Sequence, residues 1–265
     1  MGTTVPLANI SSNYLYIDSG DDAMRKLTSA FAFCALGLLT VFFVVDVDKS
    51  SRATAQSEDK LVYADFDTLK DNRPVSTRGG YVQIFAGSEN PANPAKFTGM
   101  PGVNDAPELV RLKADDSNKA ASFSYTLSSP NNYASVTLDI HGLPDRDGKP
   151  VAEDVSRYKN LTFQIYAKGA PPPTGVEYVR VELTSRGQGI NLQYGFPQAR
   201  FKLSPTGFNT YKIALKSLAQ PSWVQDHVDP KEVLRKLTSV QISVFCDQCT
   251  PINGMIVIDN VIFTD

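Results

Sequence analysis

Few residues in this chain have the types and spacing to do chemistry. Cys246-Asp247-Gln248-Cys249 forms a C-x-x-C, but Thr250 follows where covalent haem attachment needs histidine. No second cysteine pair completes a zinc or iron-sulfur set, and the motif lies between two strand-like runs rather than opening a helix that could activate a thiolate. Cys246 and Cys249 are therefore read as a loop disulfide if the domain is extracytoplasmic, and as inert thiols otherwise. "GLPDRDGKP" (142–150) fails as a phosphate loop, because five residues separate Gly142 from Gly148 and Pro150 stands where Ser or Thr must reach magnesium. Asp145-x-Asp147-Gly148 has the start of a calcium loop without its closing glutamate, so it reads as a turn. His141 and His227 have no serine or cysteine that spacing nominates as a nucleophile, and no G-x-S-x-G is present. No catalytic constellation emerges, and the chain is expected not to be an enzyme.

One carboxylate demands an explanation. "GMIVIDNVIFTD" (254–265) reads as a buried closing strand, yet Asp259 and Asn260 interrupt it. Burying an unpaired carboxylate costs on the order of several kcal/mol, so Asp259 needs hydrogen-bond donors or a cation.

The elements that must position these residues are mostly short strands. In "LTFQIYA" (161–167) Leu161, Phe163 and Ile165 share one face; in "VEYVRVELT" (176–184) Val179, Val181 and Leu183 face inward, with Tyr178, Arg180 and Glu182 outward. Similar runs at 61–67, 121–127, 133–140, 189–194, 209–215, 240–246 and 255–263 are separated by Gly, Pro, Asn and Asp. One short helix is expected over "KEVLRKL", with Asp229 as N-cap and Pro230 in its first turn. The Pro/Gly/Asn-rich stretch 86–107 reads as a long loop.

Leu27 to Val45 carries no charge, and as a helix would rise about 28 Å, close to a bilayer core of ~30 Å. Arg25 and Lys26 precede it while Asp46 and Asp48 follow, which predicts a cytoplasmic N-terminal tail (1–23), a single transmembrane helix (24–45), a linker (46–60) and a periplasmic or otherwise extracytoplasmic domain (61–265). The competing reading is a secretory signal peptide starting at Met24 and cleaved after Ala53-Thr54-Ala55. A net charge of −2 with both signs interspersed offers no stripe for a phosphate backbone, so nucleic acid is not an expected partner.

"LVYADFD" (61–67), "YKNLTFQIYAKG" (158–169), "GFNTYKIALKSL" (207–218) and "GMIVIDNVIF" (254–263) together resemble the galactose-binding-like jelly roll. The branches they are most similar to are family 11 carbohydrate-binding modules and the complex I intermediate-associated protein 30 domain. The resemblance implies an all-β, two-sheet antiparallel jelly-roll sandwich with one short crossover helix, its first and last strands paired, behind the single transmembrane α-helix. It further implies a structural calcium that Asp65, Asp67 and Asp259 could share. The outward residues Gln164, Tyr166, Tyr178, Arg180, Glu182, Gln193 and Gln241 would form a polar ligand or partner face, or an ordinary solvated one. One span ahead of such a sandwich also resembles an accessory subunit of a bacterial photosynthetic reaction-centre and light-harvesting assembly. The favoured expectation is thus a non-catalytic subunit that stabilises or helps assemble a respiratory or photosynthetic membrane complex, with lipid and integral-membrane subunits as partners. The alternative is an anchored or secreted carbohydrate-binding protein with a glycan as ligand.

Overall fold

The computed structural model describes residues 59–88, 92, 94–103, 105–113, 117–141, 149–168, 177–193, 195–202, 204, 207–246 and 252–265, with backbone alone at 167, 168, 177, 178 and 246. The expected tail, membrane helix and most of the linker, the 142–148 turn, and the side chains of Cys246 and Cys249 lie outside this description. Among the described residues no helix is long and apolar enough to cross a membrane.

The strands are β1 (Lys60–Ala64), β2 (Leu69–Lys70), β3 (Arg73–Pro74), β4 (Val82–Gly87), β5 (Lys96–Thr98), β6 (Glu108–Arg111), β7 (Lys119–Leu127), β8 (Asn132–Asp139), β9 (Asn160–Lys168), β10 (Glu177–Thr184), β11 (Gln198–Lys202), β12 (Asn209–Ala214), β13 (Ser239–Cys246) and β14 (Ile252–Thr264). They form two antiparallel sheets and a small β2-β3 ribbon. One sheet runs β12-β9-β14-β7-β5, with β1 also on β14 and β6 also on β7; the other runs β11-β10-β13-β8-β4. From β7 onward nearly every connection crosses between sheets, which is jelly-roll connectivity.

The alternation expected from the sequence places the core. Leu161, Phe163 and Ile165 from one sheet meet Val179, Val181 and Leu183 from the other, all at most 1% exposed. First and last strands do pair, with Leu61 opposite Phe263. Tyr63 and Phe263 meet edge to face at 5.7 Å, and the Tyr63 hydroxyl donates across the sandwich to the Leu138 carbonyl.

Two expectations need correction. Residues 189–193 form turns and irregular backbone, not a strand: Gly187 and Gly189 take positive φ, and Gln193 does so at 49° with its N–H donating to Asn191 Oδ1. The edge strand lies instead at β11, against β10. The stretch 86–107 is also not all loop, since it contains the end of β4 and all of β5, which pairs with β7. The helix α1 (Pro230–Arg235) forms as expected, and Asp229 Oδ1 accepts from Lys231 N at 2.9 Å.

Candidate functional site

Strand register decides which side chains meet on the outer face of the five-stranded sheet. Arg200, Arg180, Ser243, Ser135 and Phe85 occupy one row across β11, β10, β13, β8 and β4. Gln198, Glu182, Gln241, Thr137 and Gln83 occupy the next. On the other side lie Lys202, Tyr178, Phe245, Tyr133 and Gly87. The outer face of a sandwich ordinarily meets water, yet Ser135, Thr137, Gln241, Ser243 and Glu182 are all buried. These side chains form a polar layer on that face that is closed off from solvent, and the recess is the cavity beside it.

The polar layer is a hydrogen-bonded chain. Ser135 Oγ donates to Ser243 Oγ at 2.7 Å, while Gln241 Nε2 donates to Glu182 Oε2 at 2.9 Å and to Ser243 Oγ at 3.2 Å. Arg180 Nε lies 3.1 Å from Glu182 Oε2. Burial pushes the Glu182 carboxyl above the ordinary range, against the opposing pull of Arg180 and Arg200. The Thr137 hydroxyl is buried with no hydrogen-bond partner among the described residues.

Aromatic rings bound the recess at one end, around a cavity of about 510 Å³ lined by Ser88, Asn131, Tyr133, Arg180, Arg200, Trp223 and Phe245. The Tyr133 ring lies across Gly87, where a Cβ would stand 2.2 Å from Tyr133 Cζ, and meets Phe85 edge to face at 6.0 Å. Trp223 is 61% exposed. Its loop is nonetheless anchored: buried Gln220 donates from Nε2 to Gly195 O and accepts Val228 N at Oε1, each at 2.6 Å. Only glycine fits beneath, because a Cβ at Gly195 would stand 2.2 Å from Val224 Cγ2 and 3.0 Å from Trp223 Cη2. Two other cavities lack such a platform. One on the seven-stranded sheet has Phe97 and Tyr125 packed into or against the core, and one beside β1 has no aromatic lining.

The expected ligand face is therefore split. Arg180, Glu182 and Gln241 belong to the recess, and Tyr178 holds a register position beside it. Gln164 and Tyr166 lie on β9 in the other sheet, and Gln193 sits in the turn, donating to Asp226 at 3.3 Å. Alternation within one strand cannot say which sheet the strand joins. The sequence alone singles out neither Tyr133 nor Phe245, and shows Trp223 only as a lone tryptophan in a loop. The signal available was the run Gln241, Ser243, Phe245 at period two, polar on a face that should be solvated but ending in an aromatic.

Asp259 finds its partners where β14 changes neighbours. Residues 252–258 of β14 pair with β7 and residues 261–264 with β1, so Asp259 and Asn260 occupy the switch, at a bulge against β9. Asn260 has φ 53°. Asp259 Oδ1 accepts from Asn260 N at 2.7 Å, and Oδ2 accepts from Asn118 Nδ2 at 2.9 Å and Asn260 Nδ2 at 3.0 Å. Burial pushes its pKa up to about 6 against the opposing pull of the Asn118 and Asn260 donors, and Asp67 and Asp65, which follow β1, add a smaller repulsion. Asp67 Oδ1 accepts from Lys119 N at 2.9 Å, and Asp65 Oδ1 from Asp67 N at 3.2 Å. Among the described residues no three acidic, histidine or cysteine side chains converge as a metal site. His141 Nε2 stands 3.6 Å from Glu153 Oε2, and His227 is exposed.

No family model and no curated protein matches the chain. Solved structures similar to it include a family 11 carbohydrate-binding module of cellulosomal cellulase Lic26A-Cel5E of Clostridium thermocellum, 13% identical over 77% of this chain and 94% of its own, with a TM-score of 0.46. The Clostridium thermocellum family 11 module in complex with a β-1,3-1,4-mixed-linked tetrasaccharide is 14% identical over 77% and 95%, also at 0.46. SGBP-B from a complex xyloglucan utilization locus in Bacteroides uniformis is 14% identical over 77% and 49%, at 0.39.

Proposed function

We propose that this domain is a non-catalytic glycan-binding module whose saccharide seat is the recess on the five-stranded sheet. The observation that carries this reading is one cavity on the outer sheet face that is lined together by the exposed Trp223, the half-buried Tyr133 and the polar side chains of Ser88, Asn131, Arg180 and Arg200. A sugar ring presents an apolar C–H face and a rim of hydroxyls. Trp223 and Tyr133 offer surface for the first, and the polar groups of Ser88, Asn131, Arg180 and Arg200 in the cavity wall offer partners for the second. The non-catalytic part rests on the engagement of Glu182, whose Oε2 is already held by Gln241 and Arg180. The expectation of a complex-assembly subunit drew on the span, which lies outside the described residues, and no feature of the sandwich favours it over the glycan reading.

Affinity electrophoresis of the full-length chain in mild detergent, through gels containing soluble neutral and acidic polysaccharides, tests this. At least one polysaccharide should retard the protein. Trp223→Ala should abolish retardation with the melting temperature unchanged, because the ring is mostly in water. Free migration through every gel would refute the reading.

A further inference from the structure

The Trp223 ring is carried on a loop whose ends are held by side-chain amides. Ala219 and Gln198 exchange backbone hydrogen bonds at 3.0 and 3.4 Å, which ties the start of the loop to β11. At its far end Val228 N donates to Gln220 Oε1 at 2.6 Å, while Gln220 Nε2 crosses to Gly195 O at 2.6 Å and reaches Leu192 O at 3.5 Å. One side chain, 6% exposed, thus joins both ends of the loop to the backbone beneath it. Gln193 adds a second clamp, since its Oε1 accepts from Gln225 N at 3.4 Å and its Nε2 donates to Asp226 Oδ2 at 3.3 Å. Between these clamps Val224 is buried against Gly195, and its neighbour Trp223 is turned out.

A buried amide needs its donors and acceptor matched, a demand that an apolar side chain filling the same space would not make. Here the matched groups order a loop whose tip is an indole mostly in water, and such a ring adds little to folding. Order at the tip serves binding instead. A ring on a loose loop would have to be immobilised by the ligand, and the same contacts would then give weaker binding.

We propose that Gln220 is a positioning residue of the glycan seat: its buried amide holds the 220–228 loop in one conformation, so that the Trp223 face is formed before a saccharide arrives. Gln220 is not among the described residues that line the cavity, and it acts through Trp223. This inference rests on the glycan-binding reading and deepens it, by making affinity depend on preorganisation as well as on contact.

Two readouts on the full-length chain in mild detergent test it. One is the fluorescence anisotropy decay of Trp223, the sole tryptophan, without ligand; the other is retardation in gels of mixed-linkage β-glucan, xyloglucan and polygalacturonate. The wild-type indole should turn with the whole domain and show little faster motion of its own. Gln220→Met, which keeps the length but removes donor and acceptor, should add a fast component and weaken retardation by about threefold to tenfold, with a cooperative unfolding transition retained. Gln220→Glu keeps the shape and the acceptor for Val228 N but loses the donor to Gly195 O; it should move both readouts the same way, and it decides the matter if Gln220→Met does not fold. Unchanged anisotropy or unchanged retardation in a folded variant would overturn the positioning role and leave the glycan reading intact. A wild-type indole that already moves freely would overturn it as well. No retardation of the wild type in any gel would sink the glycan reading, and this inference with it.

Discussion

Asp259 stands where a strand changes partner; burial raises its pKa, and the amide donors that satisfy both its oxygens offset only part of that rise. The folded state thus holds a proton here between the ordinary value of 3.8 and about 6, a range in which the unfolded chain has released it. Stability should fall as pH rises through that window, by up to about 1.4 kcal/mol per unit, and the contribution should level off above pH 6. Glu182 and Asp139, also raised by burial, act in the same direction. Asp259→Asn should flatten the dependence between pH 4 and 6 in urea denaturation series. A wild-type stability that rises over that interval would contradict the assignment. If the Asn118 and Asn260 amides alone hold Asp259, a chelator should leave the melting temperature unchanged. A clear fall on chelation would put calcium at this corner.

At the level of elements, legibility followed locality. Asp229 and Pro230 marked the helix because a cap is a contact between near neighbours, and Asp229→Ala should cost about 1 kcal/mol in thermal denaturation. No loss would mean that packing of Val233 and Leu234 holds the turn by itself. The inward faces of β9 and β10 were equally readable, since period two is a property of the single strand. The 189–194 run misled because Ile190, Leu192 and Tyr194 mimic alternation, whereas backbone conformation at Gly187, Gly189 and Gln193 breaks the extended chain. Short β4, β5 and β6 carry too few residues to display a period. They form because long strands β7 and β8 supply the ladder.

For the whole molecule, pairing β1 with β14 ties the start of the described domain to its end, and Phe263 packs beneath Tyr63 and Tyr158 at that seam. Phe263→Ala should cost about 3–5 kcal/mol, read from the denaturation midpoint; a loss below about 1 kcal/mol would show that the seam does not hold the sandwich shut. The candidate site was only partly legible for the same reason that this closure works: its parts come from five strands and a loop, brought together by register between distant segments. Arg180, Glu182 and Gln241 could be assigned to an outer face from their own strands. Their union with Tyr133, Phe245 and Trp223 depends on the β8-β13-β10-β11 order and on the Gln220 anchor. That union is the central claim, and the chain contains its own reporter, because Trp223 is the sole tryptophan and stands at the cavity mouth. Tryptophan emission of the full-length chain during titration with acidic and neutral oligosaccharides measures occupancy directly. Saturable quenching or a blue shift, with oligosaccharides of the polysaccharide that retards the chain in electrophoresis, is the predicted result; retardation with unchanged Trp223 emission would contradict the assignment of this recess as the site.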